Sequence, residues 1–202
     1  MKRPIAELLT MTLKSGAETE RTQYEHEAWQ ILRRKQGYVT HRIYQRVSEP
    51  SERLVYSEWE SKKALDGARQ HLQGTPPMRR ARALLTAPPQ RLLVELVGHI
   101  TSTKGLELGA TAVAALATGR LREDGAGWRE QEEQLQRVFP AQSGHITHVF
   151  FRGFEDPMLA GSMSYWTSTE AFEHARVQLD AALPTTAMAE ALTYVVYAPL
   201  VD

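Results

Sequence analysis

Gly37-Tyr38-Val39-Thr40-His41 returns further along the chain as Gly144-His145-Ile146-Thr147-His148, a shift of 107 residues, from 37 to 144. At the same shift Glu49-Pro50 meets Asp156-Pro157, Trp59 meets Trp166, Ser61 meets Ser168, Ala64 meets Ala171, and Ala68-Arg69 meets Ala175-Arg176. No gap is needed between Gly37 and Leu72. An ordered series through glycine, proline and tryptophan is what an internal duplication leaves behind, so the chain divides into two like domains, residues 1–103 and 104–202.

Each half reads as strand, helix, strand, strand, helix, strand. In the first, Ile5 to Leu13 is apolar enough for a strand, Gly16 breaks the chain, and Tyr24, Ala28, Ile31 and Leu32 share one face of the following helix. Gly37 comes after Arg33-Arg34-Lys35, as a C′ glycine follows basic residues in a last helical turn. Tyr38 to Val47 and Leu54 to Trp59 are β-branched and aromatic stretches joined by the turn Glu49-Pro50-Ser51-Glu52. Ser61 is placed to cap a helix carrying Ala64, Leu65, Ala68 and Leu72, Gly74-Thr75-Pro76-Pro77 interrupts it, and Leu92 to Ile100 is the closing strand. The second half repeats the order with Ala112 to Leu121, a helix bearing Trp128, Leu135, Val138 and Phe139, strands His145 to Phe154 and Met158 to Trp166, a helix from Ser168, and a strand from Thr193 to Leu200. The Gly-Thr-Pro-Pro insertion has no counterpart there, and Thr101 to Gly105 is a short polar linker. The expected fold class is α+β: two tandem ferredoxin-like βαββαβ repeats packing sheet to sheet as an intramolecular dimeric α+β barrel. Two independent domains on a string are the competing arrangement.

Composition narrows the function classes. Hydrophobic residues are 42% and charged residues 24%, the balance of a globular protein rather than a disordered or membrane one. Twenty-four Lys plus Arg against 24 Asp plus Glu leaves no net field to draw nucleic acid or an anionic membrane. The absence of cysteine removes disulfides, a thiolate nucleophile and Cys-ligated metal, and fits a cytoplasmic location. The basic start Met1-Lys2-Arg3-Pro4 is interrupted by Glu7 before an apolar run develops, so no signal peptide is expected. Gly105-Leu106-Glu107-Leu108-Gly109 is not followed by a phosphate-loop Lys-Ser or Lys-Thr, and the chain contains neither Gly-x-Ser-x-Gly nor His-Glu-x-x-His.

The segment Val55-Tyr56-Ser57-Glu58-Trp59-Glu60-Ser61-Lys62-Lys63-Ala64-Leu65, and again Ser164-Tyr165-Trp166-Thr167-Ser168-Thr169-Glu170-Ala171-Phe172, is similar to the signature of the antibiotic-biosynthesis-monooxygenase (ABM) family. The resemblance covers nearly the whole chain. It implies a dimeric α+β barrel built within one chain, as a monomer with an internal pseudo-dimer or as a homodimer, and a pocket between sheet and helices in each half. It also implies an oxidoreductase that needs no cofactor, one in which the anion of an aromatic or polyketide-like small molecule reacts with dioxygen beside the Trp at positions 59 and 166. Haem-degrading relatives carry an Asn on the first strand and a second Trp about nine residues after the motif Trp. Ala68 and Ala175 stand there instead, so haem degradation is not expected.

Period-two alternation puts Trp59, Ser57 and Val55 on one strand face, and Trp166, Ser164 and Ser162 on the equivalent one. Small residues beside a large ring leave room for a ligand, unless each Trp only plugs a corner. The bulkier face, with Leu54 and Tyr56, suits packing under helices. His41 and His148 recur at one strand position and could act as general base on a phenolic proton, or could be hydrogen-bonded packing residues. Glu7 and Glu95 lie in strands of the first half only, with counterparts near Ala114 and Tyr197, so the first pocket is the better supplied and these carboxylates would orient His41. Their separate strands give no metal-ligand spacing. Arg69 and Arg176 share a helical position that suits either a surface ion pair or a substrate anion, and His71 and His174 could face a pocket mouth.

Two functions of different class therefore stand: a cofactor-independent monooxygenase, or a non-catalytic small-molecule-binding or interaction barrel of the same fold. Because no second Trp stands at 68 or 175, titration with haemin should produce no stoichiometric Soret shift. A tight one-to-one complex would show that reading to be wrong.

Overall fold

The computed structural model describes residues 3–101, 112–122, 128–182 and 193–200. The chain separates into two compact units, one formed by residues up to Glu95 together with the chain from Leu200, the other running from Leu96 to Pro199. Residues 102–105 of the expected linker, the Gly105–Gly109 stretch and residues 183–192 lie outside the described residues.

The first unit runs β1 (Ile5–Thr12), α1 (Glu18–Leu32), β2 (Tyr38–Arg46), β3 (Glu52–Trp59), α2 (Lys62–Gln73), α3 (Pro76–Ala83) and β4 (Gln90–Thr101), the last strand continuing past Glu95 into the second unit. Its strands pair antiparallel in the order β4-β1-β3-β2. The sequence explains the joints. Ser61 accepts the Ala64 N–H at 3.2 Å and starts α2, while Pro76 and Pro77 occupy the first turn of α3, where a missing N–H costs nothing. The Gly-Thr-Pro-Pro insertion thus starts a short helix of its own.

The second unit repeats the plan in β5 (Val113–Arg120), α4 (Trp128–Val138), a 3-10 turn (Phe139–Ala141), β6 (His145–Gly153), β7 (Leu159–Trp166), α5 (Thr169–Ala182) and β8 (Thr193–Pro199). Its sheet is antiparallel, ordered β8-β5-β7-β6. The registers match strand for strand. Tyr38 lies opposite Trp59 and His41 opposite Ser57, as His145 lies opposite Trp166 and His148 opposite Ser164. Both hairpins carry an irregularity at the same place, between residues 38 and 40 and between 145 and 147.

One corner in each unit fixes the first helix to the hairpin. Gly37 and Gly144 both have φ of +79°, and their carbonyls accept the N–H of Glu60 at 2.8 Å and of Thr167 at 2.9 Å. Each glycine also lies so close to the following helix that a Cβ would sit 2.6 Å from the Cβ of Ala64 or Ala171. Here the left-handed backbone and the close approach both demand glycine. The helices pack on the Trp59 face: Val55 and Trp59 join Ala28, Trp29 and Leu32 of α1 and Leu65, Ala68 and Leu72 of α2 in one core. This reverses the expectation that Leu54 and Tyr56 lie beneath the helices. The indole needs the deeper cover, and Ser57 is small enough to leave room for it.

Gly37→Ala and Gly144→Ala should each destabilise by about 2 kcal/mol or more, from the left-handed strain and the contact with Ala64 or Ala171. Gly67, inside α2 with open space around it, is the control: Gly67→Ala should stabilise by about 0.5–1 kcal/mol in urea unfolding.

Candidate functional site

Between the sheet of the first unit and its three helices lies a cavity of about 660 Å³, within the range of small-molecule sites, roughly 300–1,000 Å³. Val55, Ser57 and Trp59 of β3 form its floor, Ala28, Trp29 and Leu32 of α1 and Leu65 and Leu72 of α2 its apolar sides, and Met78, Ala81 and Arg82 of α3 another wall. The insertion peculiar to the first half therefore builds part of the cavity. The Trp59 indole N–H donates to Ser57 Oγ at 3.1 Å, which satisfies its one donor within β3 while the ring packs into the core.

Charged groups enter this apolar chamber in two clusters. In the first, Glu7 of β1 receives Arg91 Nε from β4 at 2.7 Å and faces Arg69 Nε from α2 at 3.3 Å, both on Oε1. Oε2 makes no hydrogen bond among the described residues, and Glu7 lines the cavity. Burial pushes the Glu7 carboxyl above the ordinary carboxylate range; Arg69 and Arg91 pull it back only in part. In the second cluster Arg21 Nε donates to Glu25 Oε1 at 2.6 Å, its Nη1 to the Ala81 carbonyl at 2.7 Å and its Nη2 to Met11 Sδ at 3.0 Å. Arg53 Nη1 stands 3.6 Å from Glu25 Oε2, so one buried carboxylate serves two guanidiniums. Each of the three guanidinium nitrogens of Arg21 is engaged, which makes this cluster a fixed wall rather than a free hand.

The residues that the sequence marks are divided by this geometry. Glu7, Val55, Ser57, Trp59 and Arg69 meet at the cavity. His41 does not line it: the imidazole stacks on Trp29 with ring centroids 4.0 Å apart, and Nδ1 bonds the Tyr38 hydroxyl at 2.6 Å. Glu7, Ser57 and His41 form a row across β1, β3 and β2, but Ser57 stands between, and Glu7 is taken by the arginines. Glu95 is half-exposed beside Arg3 at 3.9 Å, and neither carboxylate orients His41. His71 is exposed.

In the second unit Ser164 again accepts the indole N–H, of Trp166, at 2.8 Å, and Trp166 is enclosed by Phe139, His145 and Phe172. The residue opposite Ser164 is Ala115, so the Glu7 position is filled by alanine, one residue along from the expected Ala114. His148 is fully buried against Phe139 and Phe150, and its ring nitrogens have no hydrogen-bond partner among the described residues. Ser162 is half-buried, Arg176 pairs with Glu173 at 3.0 Å on the outside of α5, and His174 is exposed.

Arg21, Glu25, Trp29 and Arg91 escaped the sequence reading. Arg21 and Glu25, four residues apart, carry the pattern of a surface ion pair, and Arg91 sits 84 residues from Glu7. The signal for α1 was its lack of a clean apolar stripe: the buried face runs through Arg21, Glu25, Ala28, Trp29 and Leu32, with Tyr24 and Ile31 only half-buried. Among the described residues there is no cluster of three or more potential metal ligands and no helix long and apolar enough to cross a membrane.

Burial pushes His145 down to about 4, the Thr147 backbone opposing only weakly, and His148 well below the ordinary value, with His145 and His99 adding to the effect. Both rings are neutral when folded but take up a proton near 6.5 when unfolded. Their stabilisation is thus complete above pH 6.5 and is lost as the pH falls toward 4. Tm should drop across that window, and a His145→Leu/His148→Leu double variant should show a shallower drop.

Residues 4–84 match the family model described as antibiotic biosynthesis monooxygenase. No curated protein matches the sequence. Among solved structures, a candidate monooxygenase from Lactobacillus acidophilus NCFM is similar with a TM-score of 0.71 at 10% identity, covering 98% of this chain and 94% of its own. A candidate monooxygenase from Fusobacterium nucleatum gives 0.71 at 8%, covering 98% and 93%. An anthrone oxidase-like protein gives 0.68 at 15%, covering 98% and 92%. At these identities the likeness is one of fold, and it extends along the chain. The stretch 4–84, with its β3-to-α2 signature and the cavity beneath it, is thus the part of the chain that matches the antibiotic-biosynthesis-monooxygenase domain.

Proposed function

We propose that this chain is a cytoplasmic, cofactor-independent monooxygenase, made of two ABM-like domains (1–103 and 104–202), in which the cavity of the first holds an aromatic or polyketide-like substrate. The observation that carries the proposal is Glu7, a buried carboxylate whose Oε2 is left for the cavity beside Ser57 and Trp59. A carboxyl raised above its ordinary range is better matched to the weakly acidic proton of a phenol or an anthrone methylene than an exposed one. The chamber is mostly apolar, so a flat ring system displaces water on entry and meets Trp29, Trp59 and aliphatic side chains.

For an anthrone-like substrate the steps balance as follows. Glu7 Oε2 takes one proton from the methylene carbon, and the carbanion passes one electron to dioxygen. Superoxide and the substrate radical combine into a carbon–oxygen bond, and Glu7 returns its proton to give the hydroperoxide. Loss of water leaves the carbonyl: one methylene and one dioxygen become one quinone carbonyl and one water. Arg69 and Arg91 beside Oε1 stabilise the negative charge while it resides on the substrate. His41, behind Trp29, positions that indole and does not meet the substrate.

With an anthrone and dioxygen as sole oxidant, quinone formation followed by absorbance and by an oxygen electrode should show one dioxygen per quinone. Glu7→Gln should lower kcat by about 10²-fold or more, while His41→Ala should lower it much less and Arg176→Gln should leave it unchanged. A protein that binds the anthrone but consumes no dioxygen is a binding module of the same fold, and the oxygenase reading ends there.

A further inference from the structure

Arg69 and Arg91 approach Glu7 in an unusual way: each uses its Nε, and both converge on the same oxygen, Oε1, at 3.3 and 2.7 Å. The terminal Nη groups of the two guanidiniums make no hydrogen bond among the described residues, although both arginines line the cavity, with side chains 32% and 28% exposed. A guanidinium bonded through Nε alone keeps most of its five donors, and two such forks side by side match the oxygens of a carboxylate. One anion already present does not neutralise them. Among the residues lining the chamber, Arg21, Arg69, Arg82 and Arg91 outnumber Glu7 and Glu25 by two positive charges in a largely apolar space.

We propose that the cavity of the first unit is a seat for an aromatic carboxylate, its ring system lying against Trp59 and its carboxylate bridging the free Nη groups of Arg69 and Arg91. This deepens the reading above, since it names the substrate class of the same site. Binding, however, does not depend on turnover. The ligand anion and Glu7 compete for one pair of cations, so affinity rises when Glu7 is protonated. The groups facing that carboxyl are Arg69 and Asp66 from α2, Arg91 from β4 and Ser57 from β3, and Asp66 is exposed.

The test is fluorescence titration of the whole chain, under argon so that no oxidation occurs, with anthraquinone-2-carboxylate and with its neutral carboxamide. The acid should bind at least about ten-fold more tightly than the amide, the ratio expected for a charge-assisted pair. Arg69→Gln and Arg91→Gln should each remove most of that preference, Arg176→Gln at the equivalent helix position of the second unit should not, and Glu7→Gln should strengthen binding and flatten its dependence on pH. Equal binding of acid and amide by the unaltered chain, or no binding of either, overturns the proposal without recourse to any variant. The two readings fail separately. Acid-selective binding with no dioxygen uptake from anthrones removes the oxygenase and keeps the seat, whereas turnover of a neutral anthrone that the carboxylate does not inhibit removes the seat and keeps the oxygenase.

Discussion

A tryptophan buried at the end of a strand has one N–H to satisfy, and Trp59 satisfies it on its own strand, two residues back, at Ser57 Oγ. That bond fixes the indole on the helix-facing side of β3, where it forms part of the cavity floor. The next residues are committed by it. Glu60 donates its N–H to the Gly37 carbonyl, Ser61 caps α2, and Ala64 comes into contact with Gly37, so α2 is pinned across the Trp59 face at a fixed height. Trp166, Ser164, Gly144, Ser168 and Ala171 repeat the device atom for atom.

What lies under the pinned helix then depends on which side chains enter the gap. In the first unit the gap is bounded by the Arg21–Glu25–Arg53 cluster, a buried ionic arrangement in which one carboxylate is shared by two guanidiniums and other donors reach Ala81, Met11, Thr22 and Glu18, while Arg53 Nε makes no hydrogen bond among the described residues. Removing Glu25 would take away the carboxylate that two buried guanidiniums share, a loss of about 3–5 kcal/mol by analogy with broken buried pairs. Such a wall is expensive as a stabilising device and useful as a rigid, polar boundary to an apolar chamber. In the second unit Phe139, His145 and Phe172 crowd the same indole, and alanine replaces the buried carboxylate. One scaffold thus carries a charged cavity in one copy and a ring-packed core around neutral histidines in the other.

The repeat at 107 residues, the order of elements, the Ser61 cap and the Gly37 corner were legible in the sequence, because each is a local pattern: an alternation, a cap, a glycine after a basic turn; Ser168 and Gly144 follow from the repeat. Glu7, Ser57, Trp59 and Arg69 were legible as candidates because strand and helix periods place them on inward faces. His41 was misjudged as a neighbour of the carboxylates. Its strand position is right, but β3 lies between β2 and β1, and Trp29 from α1 covers the ring.

The sequence by itself therefore determined the architecture of each unit and the corner that orients its tryptophan, since those rest on contacts between residues close along the chain or at a repeated spacing. Only the tertiary structure decided the chemistry of the cavity. Glu7 meets Arg91 across 84 residues and Arg69 from a helix, and Arg53 reaches Glu25 from a different strand. Charge convergence of this kind depends on strand order and helix height, which no local period records, and a pair such as Arg21 and Glu25 looks the same in sequence whether its helix face meets water or a chamber.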